Sequence, residues 1–228
     1  MIDDQWFEGL EANLPDDIFF ADRVFRSRPL ASDIDFGKTR PFRKMSTTNL
    51  RNFVVSALER PWIALELATL GYEEAKTRAD KGGSTETLEI IKGKFLEVQK
   101  TPISWLADAR QVLKARTALK KFEGGLGSVY FVLIDGFTEQ NQFYGCYVGQ
   151  TRTTNLGEFS DNQSARVSNH FQGNRASLKV KNRGLEPLWS LNHFTLNLTD
   201  DTDKILSYET EFNQCLCDVI PRVLGDTL

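Results

Sequence analysis

The chain has 228 residues, of which 40% are hydrophobic and 26% are charged, and its formal net charge is −3. This is ordinary globular composition for one large domain or two small ones, and it gives no global sign of a polyanion partner. The best apolar run, residues 61–72, contains Glu66 and is too short to cross a bilayer. The three cysteines form no CxxC pair, so we expect reduced thiols in a soluble, cytoplasmic protein without a membrane partner.

Helical periodicity predicts an all-α region in the first half of the chain. Its first helix opens with Ser, Thr and Asn, which cap helices well, and apolar residues then recur at spacings of three and four. Proline suits the first turn of a helix, and it stands near the predicted starts of the second and fourth helices. The predicted helices cover residues 46–60, 61–79, 84–100 and 101–122. Before them, the basic run KTRPFRK (38–44) is either a nucleic-acid arm or an ordinary loop.

After residue 127 the pattern changes, which places a boundary at 123–127 between a helical region, 1–124, and a second domain, 125–228. The run SVYFVLID is almost continuously apolar and predicts a strand buried on both faces, and YGCYVGQT returns beside it as a hairpin. The expected order is ββααβα, an α+β arrangement. Its elements are strands at 128–135, 144–151 and 188–199, and helices at about 164–172, 175–183 and 200–220.

Positive charge is concentrated in one short part of this second domain. The segment 164–183 carries five basic residues and no acidic one, although the domain as a whole is acidic. A local basic strip of this kind is typical of phosphate binding, while a merely solvated helix face is the alternative. The basic residues are Arg166, Arg175, Lys179, Lys181 and Arg183.

An ordered set of polar residues follows these predicted elements. Tyr130 ends the tripeptide SVY in the first strand, and Tyr147 begins YVG in the second. Arg166 and His170 stand four residues apart on a predicted helix, and Glu209 lies on the closing helix. In this order the residues resemble those of the GIY-YIG endonuclease superfamily, over about residues 128–221.

This resemblance implies a three-stranded antiparallel sheet flanked by helices, and a divalent-metal-dependent endonuclease that acts on DNA, with RNA not excluded. Two features depart from the family pattern. Ser128 stands where the family prefers glycine, and no asparagine follows Pro221. The helical region before the domain could recognise DNA, form a homodimer or bind a protein partner.

The chemistry of phosphodiester cleavage gives each residue a candidate role. The reaction needs an activated water, stabilisation of charge on the phosphate and usually a divalent cation. Mg²⁺ accepts as few as one protein carboxylate, so Glu209 alone suffices as the ligand for Mg²⁺ or Mn²⁺. Arg166 offers a planar fork to two phosphate oxygens, and His170, one helical turn further, could relay a proton or bind a phosphate oxygen. Arg175, Lys179, Lys181 and Arg183 would hold the nucleic-acid backbone.

The tyrosines have two readings. The resemblance implies that Tyr130 is the general base and that Tyr147 orients the water, whereas the residues alone indicate only that two tyrosines on paired strands could point at one spot. Strands favour tyrosine in any case, so simple packing is the alternative. The alternative function is a catalytically inactive module with the GIY-YIG fold that binds nucleic acid or another interaction partner.

The closing helix offers two acids as the metal ligand. Glu209 and Glu211 are two residues apart, so they point about 200° apart around the helix and cannot both face the site. We expect Leu206, Phe212 and Leu216 to mark the packed side of the helix. Glu209 then points inward and Glu211 remains in water.

Overall fold

The structure is a computed structural model that describes residues 34–59, 64–136, 143–151, 180 and 183–225. The predicted helices at 164–172 and 175–183 lie outside these residues, except for positions 180 and 183. Within them, none of the helices combines the length and the apolar character that crossing a membrane requires. The elements are α1 (Thr47–Leu58), α2 (Leu65–Asp80), α3 (Glu86–Glu97), α4 (Leu106–Ala118), β1 (Ser128–Asp135), β2 (Tyr144–Thr151), β3 (Gly184–Pro187), α5 (Trp189–Asn192), α6 (Thr202–Leu216) and β4 (Val223–Leu224).

The four helices expected in the first half are confirmed, with two shifted starts. The second helix was expected from residue 61, but α2 begins at Leu65. The hydroxyl of Ser46 accepts the N–H of Asn49 at 3.2 Å and so caps α1. The fourth helix was expected to open at Pro102, but α4 begins at Leu106. The residues just before α4 are fixed to α2 instead, because the N–H of Ile103 donates to the hydroxyl of Thr69 at 3.0 Å.

The sheet has four strands in the order β3-β1-β2-β4, so the expectation of three antiparallel strands is wrong. β1 and β2 have the predicted bounds, and β1 is antiparallel to both of its neighbours. After α6 the chain returns to the outer edge of β2, where Val223 and Leu224 pair in parallel with Cys146 and Tyr147. The protein is therefore α+β with a mixed sheet.

The strand predicted at 188–199 is also wrong, because β3 precedes it and the segment itself forms α5 and a series of turns. Hydrogen bonds to one side chain and one backbone carbonyl of this segment replace the missing ladder. The amide oxygen of Asn192 accepts the N–H of Phe131 at 2.8 Å, and the carbonyl of Thr195 accepts the N–H of Val129 at 3.0 Å. His193, which we expected in this strand, is exposed immediately after α5.

The two faces of the sheet belong to two apolar clusters. One face continues the main core, which contains buried residues from both sides of 123–127, so the division into two domains stays a prediction. The other face builds a smaller cluster, and this cluster holds both tyrosines of the predicted site. Its buried members are Tyr130, Val132, Ile134, Tyr147, Val180 and Leu224.

Candidate functional site

Strand pairing brings Tyr130 and Tyr147 together. Tyr130 lies opposite Gly149, and Tyr147 lies opposite Val132, so both side chains leave the same face of the sheet. Their ring centroids are 6.1 Å apart, with the planes tilted by 42°. The expectation that the two tyrosines point at one spot is confirmed.

Gly149 is part of the same arrangement. A Cβ at this position would lie 2.6 Å from both Cζ and Oη of Tyr130, and 2.8 Å from Cε1 of Tyr147. These distances are far below van der Waals contact, so the phenol of Tyr130 occupies the space that a side chain at 149 would need. The tripeptide YVG is therefore a packing unit in which the glycine makes room for the first tyrosine.

Both tyrosines are fully buried, with exposed fractions of 0%. Their apolar neighbours on this face are Val132, Ile134 and Leu224. Neither phenol is in contact with solvent in this structure. Among the features of the two tyrosines, full burial gives the least support to direct contact with a substrate.

Glu209 points inward from α6, as expected. The helix is capped by Asp201, whose carboxylate accepts the N–H groups of Asp203 and Lys204, and Glu209 is only 2% exposed. One member of the expected packed side is wrong, because Leu206 is 37% exposed. Ile205 takes its place, and the buried residues are Ile205, Glu209, Phe212, Asn213 and Leu216.

Glu211 makes ion pairs instead of remaining in water. Its carboxylate lies 2.5 Å from Nζ of Lys120 and 3.4 Å from Nε of Arg116. These contacts tie α6 to the end of α4 and its following turn. The two acids of α6 thus have different surroundings, because cations neutralise Glu211 on the outside while Glu209 is buried.

Glu209 lies beside the outer edge of β2, near Tyr147. Its Oε1 is 3.9 Å from the point that a Cβ at Gly225 would occupy, and the carbonyl oxygen of Val148 is 3.5 Å from that same point. Gly225 directly follows β4, whose Leu224 pairs with Tyr147. The Glu209 carboxylate therefore approaches β2 at Val148, the residue that follows Tyr147.

Asn213 is a candidate residue that the sequence did not reveal. It is 1% exposed, and its Nδ2 lies 2.7 Å from the same point beside Gly225. This Nδ2 is buried and donates to no acceptor in the described part of the chain. An unsatisfied buried amide is costly, and it suits a bound water or a phosphate oxygen. Its spacing of four residues from Glu209 was the available signal, since it places both on one helix face.

A metal bound here would depend on Glu209 and on waters. Over residues 34–59, 64–136, 143–151 and 183–225, no group of three or more His, Cys, Asp or Glu side chains could hold a cation. Mg²⁺ keeps several waters and needs few protein ligands, so a single carboxylate is chemically sufficient. The amide of Asn213, on the same face, is placed to bind one of those waters.

Five predicted site residues lie outside the described part of the chain: Arg166, His170, Arg175, Lys179 and Lys181. Their roles stay predictions. Arg183 is described, and it is half-buried directly before β3.

Ser128 has a structural role. Its hydroxyl accepts the N–H of Asn197 at 2.9 Å, and Asn197 has a positive φ of 54°. The serine of the tripeptide SVY thus holds the turn at Asn197 against the start of β1.

Comparisons of the chain with models of known protein families, with curated proteins and with solved structures found no match. The function is therefore inferred from the residues and their geometry.

Proposed function

We propose that the protein is a divalent-metal-dependent endonuclease of the GIY-YIG type, which hydrolyses phosphodiester bonds in DNA. The observation that carries the proposal is the packing of Tyr130 and Tyr147 against Gly149, 2.6 and 2.8 Å from the place of its missing side chain. The glycine lets the Tyr130 phenol lie across β2 beside the Tyr147 ring, so two hydroxyl-bearing rings share one face of the sheet. Two hydroxyl groups on one face are what the proposed site requires.

The buried acid of α6 supports the same proposal. Glu209 is 2% exposed, and its Oε1 and the Nδ2 of Asn213 both approach the same point beside Gly225. Glu209 is placed beside β2, one residue from Tyr147, where it would hold Mg²⁺ or Mn²⁺. When bound, the cation would neutralise charge on the phosphate and lower the pKa of a water.

The remaining roles belong to side chains around this centre. In the proposal Tyr130 acts as the general base in its phenolate form, which accepts a proton from the attacking water, and Tyr147 orients that water. A phenolate needs a positive charge nearby, which Arg166 or the bound cation would supply. Asn213 donates its otherwise unpaired Nδ2 to a water or to a phosphate oxygen. Arg166 binds two oxygens of the phosphate, and His170 transfers a proton or binds a third oxygen.

One observation favours a second function, which is a catalytically inactive nucleic-acid-binding module with the same fold. Tyr130 and Tyr147 are both fully buried, and this suits side chains that stabilise the hairpin instead of contacting a substrate. In that case the sheet would be a scaffold, and the basic residues would carry the binding.

The test is incubation of the purified protein with supercoiled plasmid, linear DNA and RNA, each with Mg²⁺, Mn²⁺ or EDTA. We expect nicking or cleavage of DNA that requires the metal and is lost in Tyr130→Phe. Tyr144→Phe is the matched control, because Tyr144 is a buried tyrosine of β2 that packs in the main core on the opposite face. Binding without cleavage in any metal would favour the inactive module.

A further inference from the structure

Two arginines hold the loop that precedes α1. Arg78 of α2 donates through Nη2 to the carbonyl oxygens of Phe42, Arg43 and Met45, at 3.1, 3.4 and 2.7 Å. Because the carbonyls turn toward α2, the polar side chains of this part of the loop turn outward.

Arg110 of α4 holds the other half of the loop. Its guanidinium donates to the carbonyl oxygens of Phe36, Lys38 and Thr39, at 3.0, 2.7 and 3.5 Å. Arg110 is itself only 6% exposed, so this anchor is part of the core. The loop is therefore a fixed structure, although its sequence reads as a polar connection.

The outward side chains form a basic cavity of about 760 Å³. We name residues 37–44 the basic loop, and Lys114 of α4 completes the cavity lining. Among the described residues the lining includes five cationic side chains and no acidic one. The cationic residues are Lys38, Arg40, Arg43, Lys44 and Lys114.

Neighbouring acids neutralise only part of this charge. Asp35 pairs with Lys38 at 2.6 Å, and Glu74 binds Arg40 through two contacts of 2.8 and 2.9 Å. Glu74 also binds Arg78 at 2.7 Å, so a single carboxylate is shared by two guanidinium groups. The basic loop therefore keeps a net positive charge.

Arg43 and Lys44 provide the cations that remain available. Both side chains are exposed, and neither forms an ion pair within the described part of the chain. Lys114 donates to the carbonyl of Gly37 at 2.9 Å, which holds its ammonium group over the loop. An anion approaching the cavity thus meets the exposed side chains of Arg43 and Lys44 beside an ammonium group that the loop holds in place.

The kind of hydrogen-bond donor around the cavity determines which anion would bind there. A compact anion site usually gathers backbone N–H groups, but here the N–H groups of Lys38, Arg43 and Met45 donate within the loop's own turns. The donors left are long, exposed side chains around an open cavity. Such side chains suit an extended chain of phosphates better than one enclosed phosphate ion.

We infer that the basic loop and Lys114 bind the phosphate backbone of a nucleic acid, at a cavity whose lining includes none of the described candidate-site residues. The inference rests on the proposed function, since it gives the helical region the task of holding the substrate of the second domain. It is independent of catalysis, because neither the tyrosines nor Glu209 take part.

The test compares two double variants in EDTA, where cleavage cannot occur. Arg43→Gln with Lys44→Gln removes the available cations, and Lys81→Gln with Lys121→Gln removes two exposed cations elsewhere. Binding of a fluorescent DNA duplex is measured by anisotropy at several salt concentrations. We expect the first variant to lose at least about tenfold in affinity, and its slope of log affinity against log salt to flatten by about two. The control variant should match the wild type.

The other possible outcomes distinguish binding by the basic loop from the proposed endonuclease activity. Binding by the wild type, weakened in the loop variant but without cleavage in any metal, would support the inference and contradict the endonuclease. Equal affinity and slope in the wild type and both variants would overturn the inference, whether or not DNA is cleaved. Release of DNA by millimolar inorganic phosphate at constant ionic strength would also overturn it, because the cavity would then be a site for a small anion. Circular dichroism of each variant checks that the fold is kept.

Discussion

The N–H of Glu66 donates to Oε1 of Glu186 at 2.7 Å, so a carboxylate from β3 caps the beginning of α2. In return, the side chain of Glu66 caps the beginning of α5, the short helix that follows β3. Its carboxylate accepts the N–H groups of Trp189 and Ser190 at 2.8 and 2.9 Å, and the Ser190 hydroxyl at 2.7 Å. Two buried acids thus cap one helix each and join the helical region to the sheet.

This pair predicts a pH-dependent stability. Burial raises the pKa of Glu66 to about 7, and burial together with the charge of Glu66 raises the pKa of Glu186 well above its usual range. A carboxyl whose pKa is higher in the folded state favours folding at low pH, and this contribution is lost as the pH rises from about 4.5 to about 7. For Glu66 alone the change in the free energy of unfolding is on the order of 3 kcal/mol.

Urea unfolding at pH 5 and pH 8 measures the effect. We expect the wild type to be less stable at pH 8, and Glu66→Gln to show a clearly smaller difference between the two pH values. Because the pH difference is what is compared, any cost of the substitution that is equal at pH 5 and pH 8 cancels. Glu97→Gln is the control, because Glu97 is a solvent-exposed acid on α3. The same pH difference in Glu66→Gln and in the wild type would contradict the prediction.

A second prediction concerns the glycine of YVG. In Gly149→Ala the added methyl group would meet Tyr130 at 2.6 Å, so we expect both tyrosines to move and the protein to lose about 1–3 kcal/mol of stability. Cleavage should fall with it if the pair is catalytic. Gly93→Ala is the control, since a Cβ there meets nothing within 4 Å and alanine favours its helix.

A double-mutant cycle shows whether the loss comes from this contact. In a Tyr130→Ala background the methyl group has space, so Gly149→Ala should then cost much less. An equal cost in both backgrounds would mean that the glycine matters for another reason, such as its backbone freedom.

The elements that could be predicted from the sequence are those fixed by local patterns. β1 and β2 were predicted residue for residue, because each apolar run ends at polar or glycine-rich residues. β4 has only two residues and no pattern of its own, so nothing in the sequence announced the parallel fourth strand. Leu206 and Ile205 are both apolar neighbours on α6, and only packing decides which of them is buried.

Long-range contacts explain the strand that was wrong. The segment after β3 has the β-branched and aromatic residues of a strand, but Glu66 caps its first residues as a helix. That carboxylate comes from a helix more than a hundred positions earlier, and an inward-facing acid cannot be read from the pattern of α2. Asn213 was missed for a similar reason, because its spacing from Glu209 places it on the same helix face but does not show that this face is buried.

A third prediction concerns Arg166, which is expected to bind the phosphate. Arg166→Ala should reduce the cleavage rate by an amount corresponding to about 3 kcal/mol, because an arginine used in the transition state acts like an oxyanion-hole donor. The measurement is single-turnover cleavage at saturating metal, together with the unfolding midpoint. Unchanged rates in a folded variant would remove Arg166 from the site.

The last prediction separates the two acids of α6. Glu209 is buried beside Gly225 and the unpaired amide of Asn213, whereas Glu211 binds Lys120 and Arg116 at the surface between α4 and α6. Glu209 lies on the side of α6 that carries Asn213 and approaches β2, so Glu209 is the acid that we expect metal binding to require. We therefore expect Glu209→Gln to abolish cleavage at every metal concentration. Glu211→Gln should keep the rate and the metal dependence, and lose at most about 1 kcal/mol of stability with its ion pairs.

Glutamine has nearly the shape of glutamate, so the two substitutions differ mainly in which charge they remove. The measurement is a titration of Mg²⁺ and Mn²⁺ against the cleavage rate for both variants, with urea unfolding as the check on folding. Asn213→Asp adds a second test, because a carboxylate in place of the unpaired amide should tighten the apparent affinity for the metal if the cation binds beside Glu209. Loss of cleavage in Glu211→Gln with normal cleavage in Glu209→Gln would show that the metal ligand has been assigned to the wrong acid.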